Sequence, residues 1–131
     1  MIFIDSNIPM YLVGAPHANK EGARRAVELC IGRGERMVSS AEVMQEILHR
    51  YSSLRRLDAI QPALDTLLGI VDEIYPIEQT DVARAKDVLI DRPVMSARDA
   101  LHVAVMKKRR IERIMSFDTH FDAIPWIERV Y

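Results

Sequence analysis

Four acidic residues stand at points where the sequence predicts strand ends or helices: Asp5, Glu46, Asp99 and Asp118. Asp5 directly follows the apolar run Met1–Ile4, and Asp118 follows a second apolar run, Ile111–Phe117. Carboxylates that converge repel one another unless a divalent cation neutralises them. Mg²⁺ and Mn²⁺ prefer such oxygen ligands, and an ion with open positions suits phosphate chemistry. The pattern therefore predicts a metal site wherever the fold gathers these carboxylates.

The chain alternates predicted strands and helices. The five predicted strands are Met1–Ile4, Arg36–Ser40, Glu73–Ile77, Ile111–Phe117 and Trp126–Val130. Such alternation favours an α/β fold with a central, mostly parallel sheet of four to five strands and helices on both faces. Ligands of these sheets bind beyond the carboxyl ends of the strands. We therefore expect Asp5 and Asp118 to lie at the same edge.

Two predicted helices carry the other acids. Glu46 lies on an amphipathic helix over Glu42–Tyr51, and Asp99 lies in the first turn of a helix from Ser96 to about Lys108. We also predict that Leu54–Ile60 is helical. Asn7 and Thr80 are the candidate N-caps of two further helices, because their short polar side chains can accept from the first backbone N–H groups.

Each carboxylate also has a purely structural interpretation. Glu46 stands four residues before Arg50, a spacing typical of a surface ion pair on a helix. Asp99 follows Ser96 by three residues, as in a capping box, and Asp118 could cap a loop. Two further acids were weighed: Glu42 is a rival for the helix position, and Asp122 is interpreted as peripheral.

Length and composition restrict the class of protein. The 131 residues are 49% hydrophobic and 28% charged, which predicts a single domain over residues 1–131 with its own core. The single cysteine, Cys30, excludes a disulfide framework and a zinc site of several cysteines. No apolar run nears the roughly 20 residues of a membrane span, and no signal peptide is evident, so we expect a cytoplasmic protein. The net charge of −1 gives no overall electrostatic reason to expect nucleic acid.

Four short motifs resemble those of PIN-domain proteins, in the same order along essentially the whole chain. They are Phe3-Ile4-Asp5-Ser6-Asn7, Val38-Ser39-Ser40 followed by Glu46, Ala97-Arg98-Asp99-Ala100-Leu101-His102, and Ser116-Phe117-Asp118-Thr119-His120-Phe121. The size of the chain is similar to that of the single-domain VapC-like toxins of bacterial and archaeal toxin–antitoxin pairs. The resemblance implies a PIN-like three-layer α/β/α fold.

The resemblance also implies a Mg²⁺- or Mn²⁺-dependent endoribonuclease whose products carry a 5′-phosphate and a 3′-hydroxyl. Carried over to this sequence, the metal-site and catalytic residues are Asp5, Glu46, Asp99 and Asp118. Asn7, Ser116 and Thr119 would support those ligands. A cognate antitoxin protein and a homodimer are the partners that the resemblance implies, besides the RNA substrate. An antitoxin segment could block the site by inserting an arginine among the carboxylates.

Basic residues near the carboxylates are the candidates for RNA contact. Arg92 and Arg98 flank the start of the Asp99 helix, whereas Lys107–Arg110 is interpreted as a solvated helix end. Without the four assigned carboxylates, the net charge of −1 becomes +3, which is compatible with RNA. The four histidines are too dispersed in sequence to predict a zinc site, and His102 is expected to pack beside its helix.

Three other functions are alternatives to a nuclease for such a chain. A phosphoaspartyl receiver needs an acceptor aspartate after the third strand, where Tyr75-Pro76-Ile77 offers none. A haloacid-dehalogenase-like phosphatase needs Asp-x-Asp, and Asp5-Ser6-Asn7 supplies one acid. The remaining alternative is a degenerate PIN-fold module that binds protein or RNA without cleaving it. The presence of all four acids disfavours that alternative.

Overall fold

A five-stranded, wholly parallel sheet forms the centre of the molecule. The computed structural model describes residues 1–131. Its strands are β1 (Ile2–Ile4), β2 (Met37–Ser40), β3 (Glu73–Tyr75), β4 (Arg113–Met115) and β5 (Glu128–Val130). They are arranged in the order β3-β2-β1-β4-β5, and every neighbouring pair is parallel. The predicted sheet is confirmed.

Helices cover both faces of the sheet. They are α1 (Asn7–Val13), α2 (Ala18–Gly32), α3 (Ala41–Ser53), α4 (Ile60–Ile70), α5 (Gln79–Asp91) and α6 (Ala97–Arg109), with 3₁₀ helices over Leu57–Ala59 and Thr119–Ala123. Parallel strands are joined by right-handed crossovers, which place α1 to α4 on one face and α5 and α6 on the other. Accordingly, α1 packs against α2 and α4, while α5 and α6 pack on each other. No helix is both long and apolar enough to cross a membrane.

The strand β1 lies at the middle of the core. All three of its side chains are completely buried, because helices cover both of its faces. Ile114 of β4 and Ile47 of α3 are equally buried in the same cluster. Each large apolar side chain removed from water contributes about 1.5–3 kcal/mol. The chain segments that leave the carboxyl ends of β1 and β4 are thus anchored firmly.

Some local predictions were wrong. Asn7 is the first residue of α1, not its N-cap, and Thr80 lies inside α5. The side chains of Glu78 and Asp81 instead form a capping box at the start of α5. Over the segment Leu54–Ile60, only a short 3₁₀ helix forms, because Arg55 adopts a positive φ of 54° that stops the preceding helix.

The order of the strands creates a crevice between β1 and β4. The connection leaving β1 runs to β2 on one side, whereas the connection entering β4 comes over the opposite face. Chain segments therefore diverge at the carboxyl ends of β1 and β4, the point where parallel sheets bind ligands. Asp5 directly follows β1, and Ser116 directly follows β4.

Candidate active site

Asp5 is buried at the mouth of the crevice and held by several donors. Its side chain is 4% exposed. Its Oδ1 accepts from the backbone N–H of Ser6 at 2.8 Å, and its Oδ2 accepts from the Ser116 hydroxyl at 2.6 Å. Burial raises the pKa of Asp5, although the donors and the nearby His102 oppose that shift. The carboxylate has a fixed orientation as a result.

Asn7 and Ser116 connect the two chain segments that leave β1 and β4. The Asn7 amide donates to Asp5 Oδ2 at 3.3 Å and to Ser116 Oγ at 3.2 Å. Its oxygen accepts from the backbone N–H of Phe117 at 3.3 Å, and Ser116 Oγ accepts from the N–H of Asp118 at 3.0 Å. These bonds set the spacing between Asp5 and the loop that carries Asp118.

Glu46 extends from α3 towards Asp5 and is paired with a buried histidine. The Ser6 hydroxyl donates to Glu46 Oε1, and His102 Nε2 lies 3.3 Å from Oε2 and 3.7 Å from Asp5 Oδ1. Burial opposes the charge on both partners, but their contact outweighs it. The pKa of His102 is therefore raised and that of Glu46 is lowered. One potential metal-ligating atom from each of Asp5, Glu46 and His102 lies within 4.8 Å of the other two. We call these three residues the inner group.

A second set of potential metal-ligating atoms, also within 4.8 Å of one another, comes from Asp99, Asp118 and His120. We call these three residues the outer group. His120 Nδ1 lies 3.0 Å from Asp118 Oδ1 and 3.8 Å from Asp99 Oδ2. Burial, together with the charges of Asp118 and Asp5, raises the pKa of Asp99 to about 6. The carboxylates of the outer group therefore face one another with incomplete charge compensation.

The capping interpretation of Asp99 and its role in a carboxylate cluster are compatible. The backbone N–H of Asp99 donates to Ser96 Oγ at 3.1 Å, so Ser96 caps α6. The Asp99 carboxylate extends into the cleft. The sequence allowed either interpretation, and the structure contains both features.

One cleft of about 670 Å³ is lined by all four predicted carboxylates. Its rim also carries basic side chains, among them Arg50 and Arg98. The cleft lies at the carboxyl edge of the sheet, where the alternation of strands and helices predicted it.

Comparison with known proteins identifies the family. The PIN-domain family matches residues 2–127. The chain is 55% identical over 130 residues to the ribonuclease VapC13 of Mycobacterium tuberculosis, covering 99% of each chain. It belongs to the PIN-domain family of VapC proteins.

Two solved structures share this PIN fold. The crystal structure of Mycobacterium tuberculosis VapC20, a Sarcin-Ricin loop cleaving toxin, superposes with a TM-score of 0.82 at 23% identity over the whole of both chains. The structure of VapBC2 from Rickettsia felis, bound to a DNA fragment from its promoter, gives a TM-score of 0.74 at 17% identity, also over both whole chains. These likenesses show that the three-layer arrangement is the PIN fold.

The donor set of this PIN domain fits a divalent cation. Four carboxylates converge on one cleft, and burial together with the nearby charges of Asp118 and Asp5 raises the pKa of Asp99. Carboxylate oxygens are the ligands of hard cations such as Mg²⁺ and Mn²⁺. The cleft thus has the chemical character of a metal site.

The predicted supporting residue Thr119 and the two further acids, Glu42 and Asp122, do not contact the four carboxylates. Thr119 is exposed, and no hydrogen bond joins its side chain to Asp118. A 3₁₀ helix begins at Thr119, and the Asp118 carboxylate accepts from the backbone N–H of His120 instead. Glu42 faces Arg98, with Oε1 3.8 Å from Nε, outside the carboxylate cleft. Asp122 is paired with Arg129 at 2.9 Å. Neither acid contributes to the cleft.

The two candidate RNA-binding arginines occupy different places. Arg98 lines the carboxylate cleft, whereas Arg92 lines a neighbouring cavity. The predicted surface pair of Glu46 and Arg50 is absent, since Glu46 is engaged with Ser6 and His102.

Sequence reasoning missed the two histidines of the site. His102 is completely buried against Glu46, and His120 contacts Asp118. One signal for His102 was its position three residues after Asp99, which puts both side chains on one face of α6. The approach of Glu46 from a different helix had no such signal.

Proposed function

We propose that the protein is a metal-dependent endoribonuclease, the toxin of a toxin–antitoxin pair, which hydrolyses RNA phosphodiester bonds. The convergence of four carboxylates at the switch point of the sheet is the observation that carries this proposal. Its 55% identical relative, VapC13, is named a ribonuclease. Cleavage leaves a 5′-phosphate and a 3′-hydroxyl.

Asp5, Glu46, Asp99 and Asp118 would hold the metal, with Mg²⁺ or Mn²⁺ as the proposed ion. When bound, such an ion supplies a water of lowered pKa and neutralises charge on the phosphate. Asp99 binds its proton more tightly than an ordinary aspartate, so a metal ion bound there would compete with that proton at about pH 6 and below.

The residues of the chain orient the reacting groups. Ser116, Asn7 and the N–H of Ser6 fix the Asp5 carboxylate, while His102 and the Ser6 hydroxyl fix Glu46. With these carboxylates fixed, a bound metal ion and the phosphate would be held in one geometry, so little reorganisation would be needed during the reaction. Arg98, at the rim of the cleft, is placed to contact a backbone phosphate of the RNA.

Single-stranded RNA fits this cleft better than a duplex. The cleft is polar and open to solvent on one side, and unpaired nucleotides can be bent into it while their bases turn outwards. The protein therefore acts on exposed loops of a larger RNA.

Two protein partners belong to the proposal. The solved structures similar to this chain include a toxin–antitoxin complex from Klebsiella pneumoniae and VapBC2 from Rickettsia felis. An antitoxin that presents an arginine to Asp99 and Asp118 would compensate the repulsion of the outer group and exclude RNA. The toxin is also proposed to form a homodimer and to act in the cytoplasm.

Replacement of Asp99 by asparagine tests the activity. Asn preserves the shape of the side chain but removes a ligand charge, so purified Asp99→Asn should cleave total RNA at least about a hundredfold more slowly than the wild type in Mg²⁺ or Mn²⁺. EDTA should stop the wild-type protein. Asp65→Asn is the matched control, because Asp65 is an exposed aspartate of α4 that does not line the cleft.

Cleavage by Asp99→Asn at the wild-type rate would show that the metal-site assignment is wrong. Absence of any cleavage by antitoxin-free wild type would favour a PIN-fold module that only binds its partner.

A further inference from the structure

A second cavity, of about 390 Å³, lies beside the carboxylate cleft. The loop of residues 91–95 between α5 and α6 forms one wall, and Thr119, His120 and Ala123 form the other. His120 lines both cavities, and its Nδ1 lies 3.0 Å from Asp118 Oδ1. Only the side chain of His120 therefore separates a molecule bound at the carboxylates from this second cavity.

The floor of the second cavity is apolar. Pro93, Val94, Met95 and Ala123 contribute to its lining. Val94 is 92% exposed, although it sits next to the buried Met95. A concave apolar surface with a few polar groups at its edge is typical of a site for a flat organic ligand.

Arg92 supplies unused hydrogen-bond donors at the edge of this cavity. Its guanidinium makes no ion pair or side-chain hydrogen bond, whereas Arg113 and Arg129 are both paired with acids. Arg98, across the α6 start, faces Glu42. Arg92 is thus a cation of the active-site region that the proposed chemistry does not use.

We propose that this second cavity, the base pocket, receives one unpaired nucleobase adjoining the scissile phosphodiester, and that Arg92 selects guanine there. The inference rests on the proposed ribonuclease function. The phosphate lies at the carboxylates, so a neighbouring nucleotide passes His120 and places its base on Val94 and Ala123. Arginine donors match the O6 and N7 acceptors of guanine, an arrangement that discriminates between bases.

The test uses single-stranded RNA oligonucleotides that differ only in the nucleotides on either side of the cut. Wild type should prefer guanine at one flanking position by at least about tenfold in kcat/KM. An abasic ribose at that position should abolish the advantage. Arg92→Ala should discriminate among the same substrates by less than about twofold, and Val94→Asn should weaken the preference as well.

Arg84→Ala is the matched control, since Arg84 is an exposed arginine of α5, the helix that precedes Arg92, and lines neither cavity. It removes the same charge and should retain the base preference. Circular dichroism melting checks that each variant is folded.

Equal discrimination by wild type, Arg92→Ala and Arg84→Ala would overturn the base pocket while leaving the ribonuclease intact. If wild type cleaves none of the oligonucleotides in Mg²⁺ or Mn²⁺, the proposed function fails, and the base pocket fails with it.

Discussion

The inner and outer groups of the cleft contain the same kinds of residue in different surroundings. In the inner group, the side chains of Asp5 and His102 are 4% and 0% exposed, and Ser116, Asn7 and Ser6 contact its carboxylates. In the outer group, the side chains of Asp118 and His120 are 30% and 65% exposed. Each group has one histidine, but only that of the inner group is enclosed by protein.

In the proposed metal site, this contrast separates two tasks. The inner group has its own histidine partner, since the contacts of His102 with Glu46 and Asp5 raise the pKa of that histidine against the effect of burial, so its geometry is set before any ion arrives. In the outer group, burial and the neighbouring charges of Asp118 and Asp5 raise the pKa of Asp99, and no buried histidine is paired with that carboxylate. The inner group provides rigidity, and the outer group provides the attraction for a cation.

The largest expected difference between the inner and outer groups is in how much each histidine contributes to the stability of the fold. His102→Ala leaves the buried Glu46 and Asp5 without their partner and should lower the free energy of unfolding by about 3 kcal/mol. His120→Ala removes an exposed ring and should change that free energy by less than about 0.5 kcal/mol. Urea unfolding in EDTA measures both.

His102→Gln is a useful companion, because its amide retains a donor and should recover part of the loss. Equal destabilisation by the two alanine variants would contradict the division into a rigid and an open group.

At the outer group we expect an effect on the free energy of unfolding that is smaller than that of His102→Ala and opposite in sign. Asp99→Asn relieves repulsion from Asp118 and Asp5, so in EDTA it should raise the free energy of unfolding by about 1–2 kcal/mol. Addition of Mg²⁺ should stabilise wild type more than the variant. A variant that is less stable than wild type in EDTA would show that the outer carboxylates are not strained by charge.

The raised pKa of Asp99 also predicts how the free energy of unfolding depends on pH. The folded pKa of Asp99 is raised from 3.8 to about 6, so the folded carboxyl holds its proton more tightly than the unfolded one. The resulting stabilisation is complete below the unfolded pKa and is lost as the pH rises through the folded pKa. In EDTA, the stability of wild type relative to Asp99→Asn should therefore fall between about pH 4 and pH 7.

The smallest predicted effect concerns the residues that support the carboxylates. Ser116→Ala removes the hydroxyl that bonds Asp5 and the N–H of Asp118, and should cost about 1 kcal/mol of stability and about tenfold in metal affinity. Thr119→Ala should change neither quantity measurably, because its side chain does not contact Asp118 through a hydrogen bond. Calorimetric titration with Mn²⁺ and thermal melting compare the two variants. A weaker metal affinity in both would restore Thr119 to the set of supporting residues.

Much of this architecture could be predicted because it depends on local pattern. The apolar Met1–Ile4 run and the alternation of strands and helices were sufficient for a parallel sheet, and residues that follow parallel strands meet at one edge. Asp5 and Asp118 are brought to one cleft for that reason. Four ordered motifs gave the family.

The remaining features depend on contacts between distant elements. His102 lies on a buried helix face, where the sequence alone suggests packing, and only the approach of Glu46 from α3 gives it an ionic partner. Thr119 stands beside Asp118 in sequence, but the start of the 3₁₀ helix turns it towards solvent. Neither outcome is encoded by residue type or local spacing.

The hydrogen bond between Ser116 and Asp5 joins residues 111 positions apart. Asp5, Glu46 and Asp99 all precede β4 in the chain. The crevice has only one of its two walls until β4 pairs with β1. A partly folded chain without the β1–β4 pairing therefore has its acidic residues but no assembled site, so the activity of this protein depends on a late, long-range step of folding.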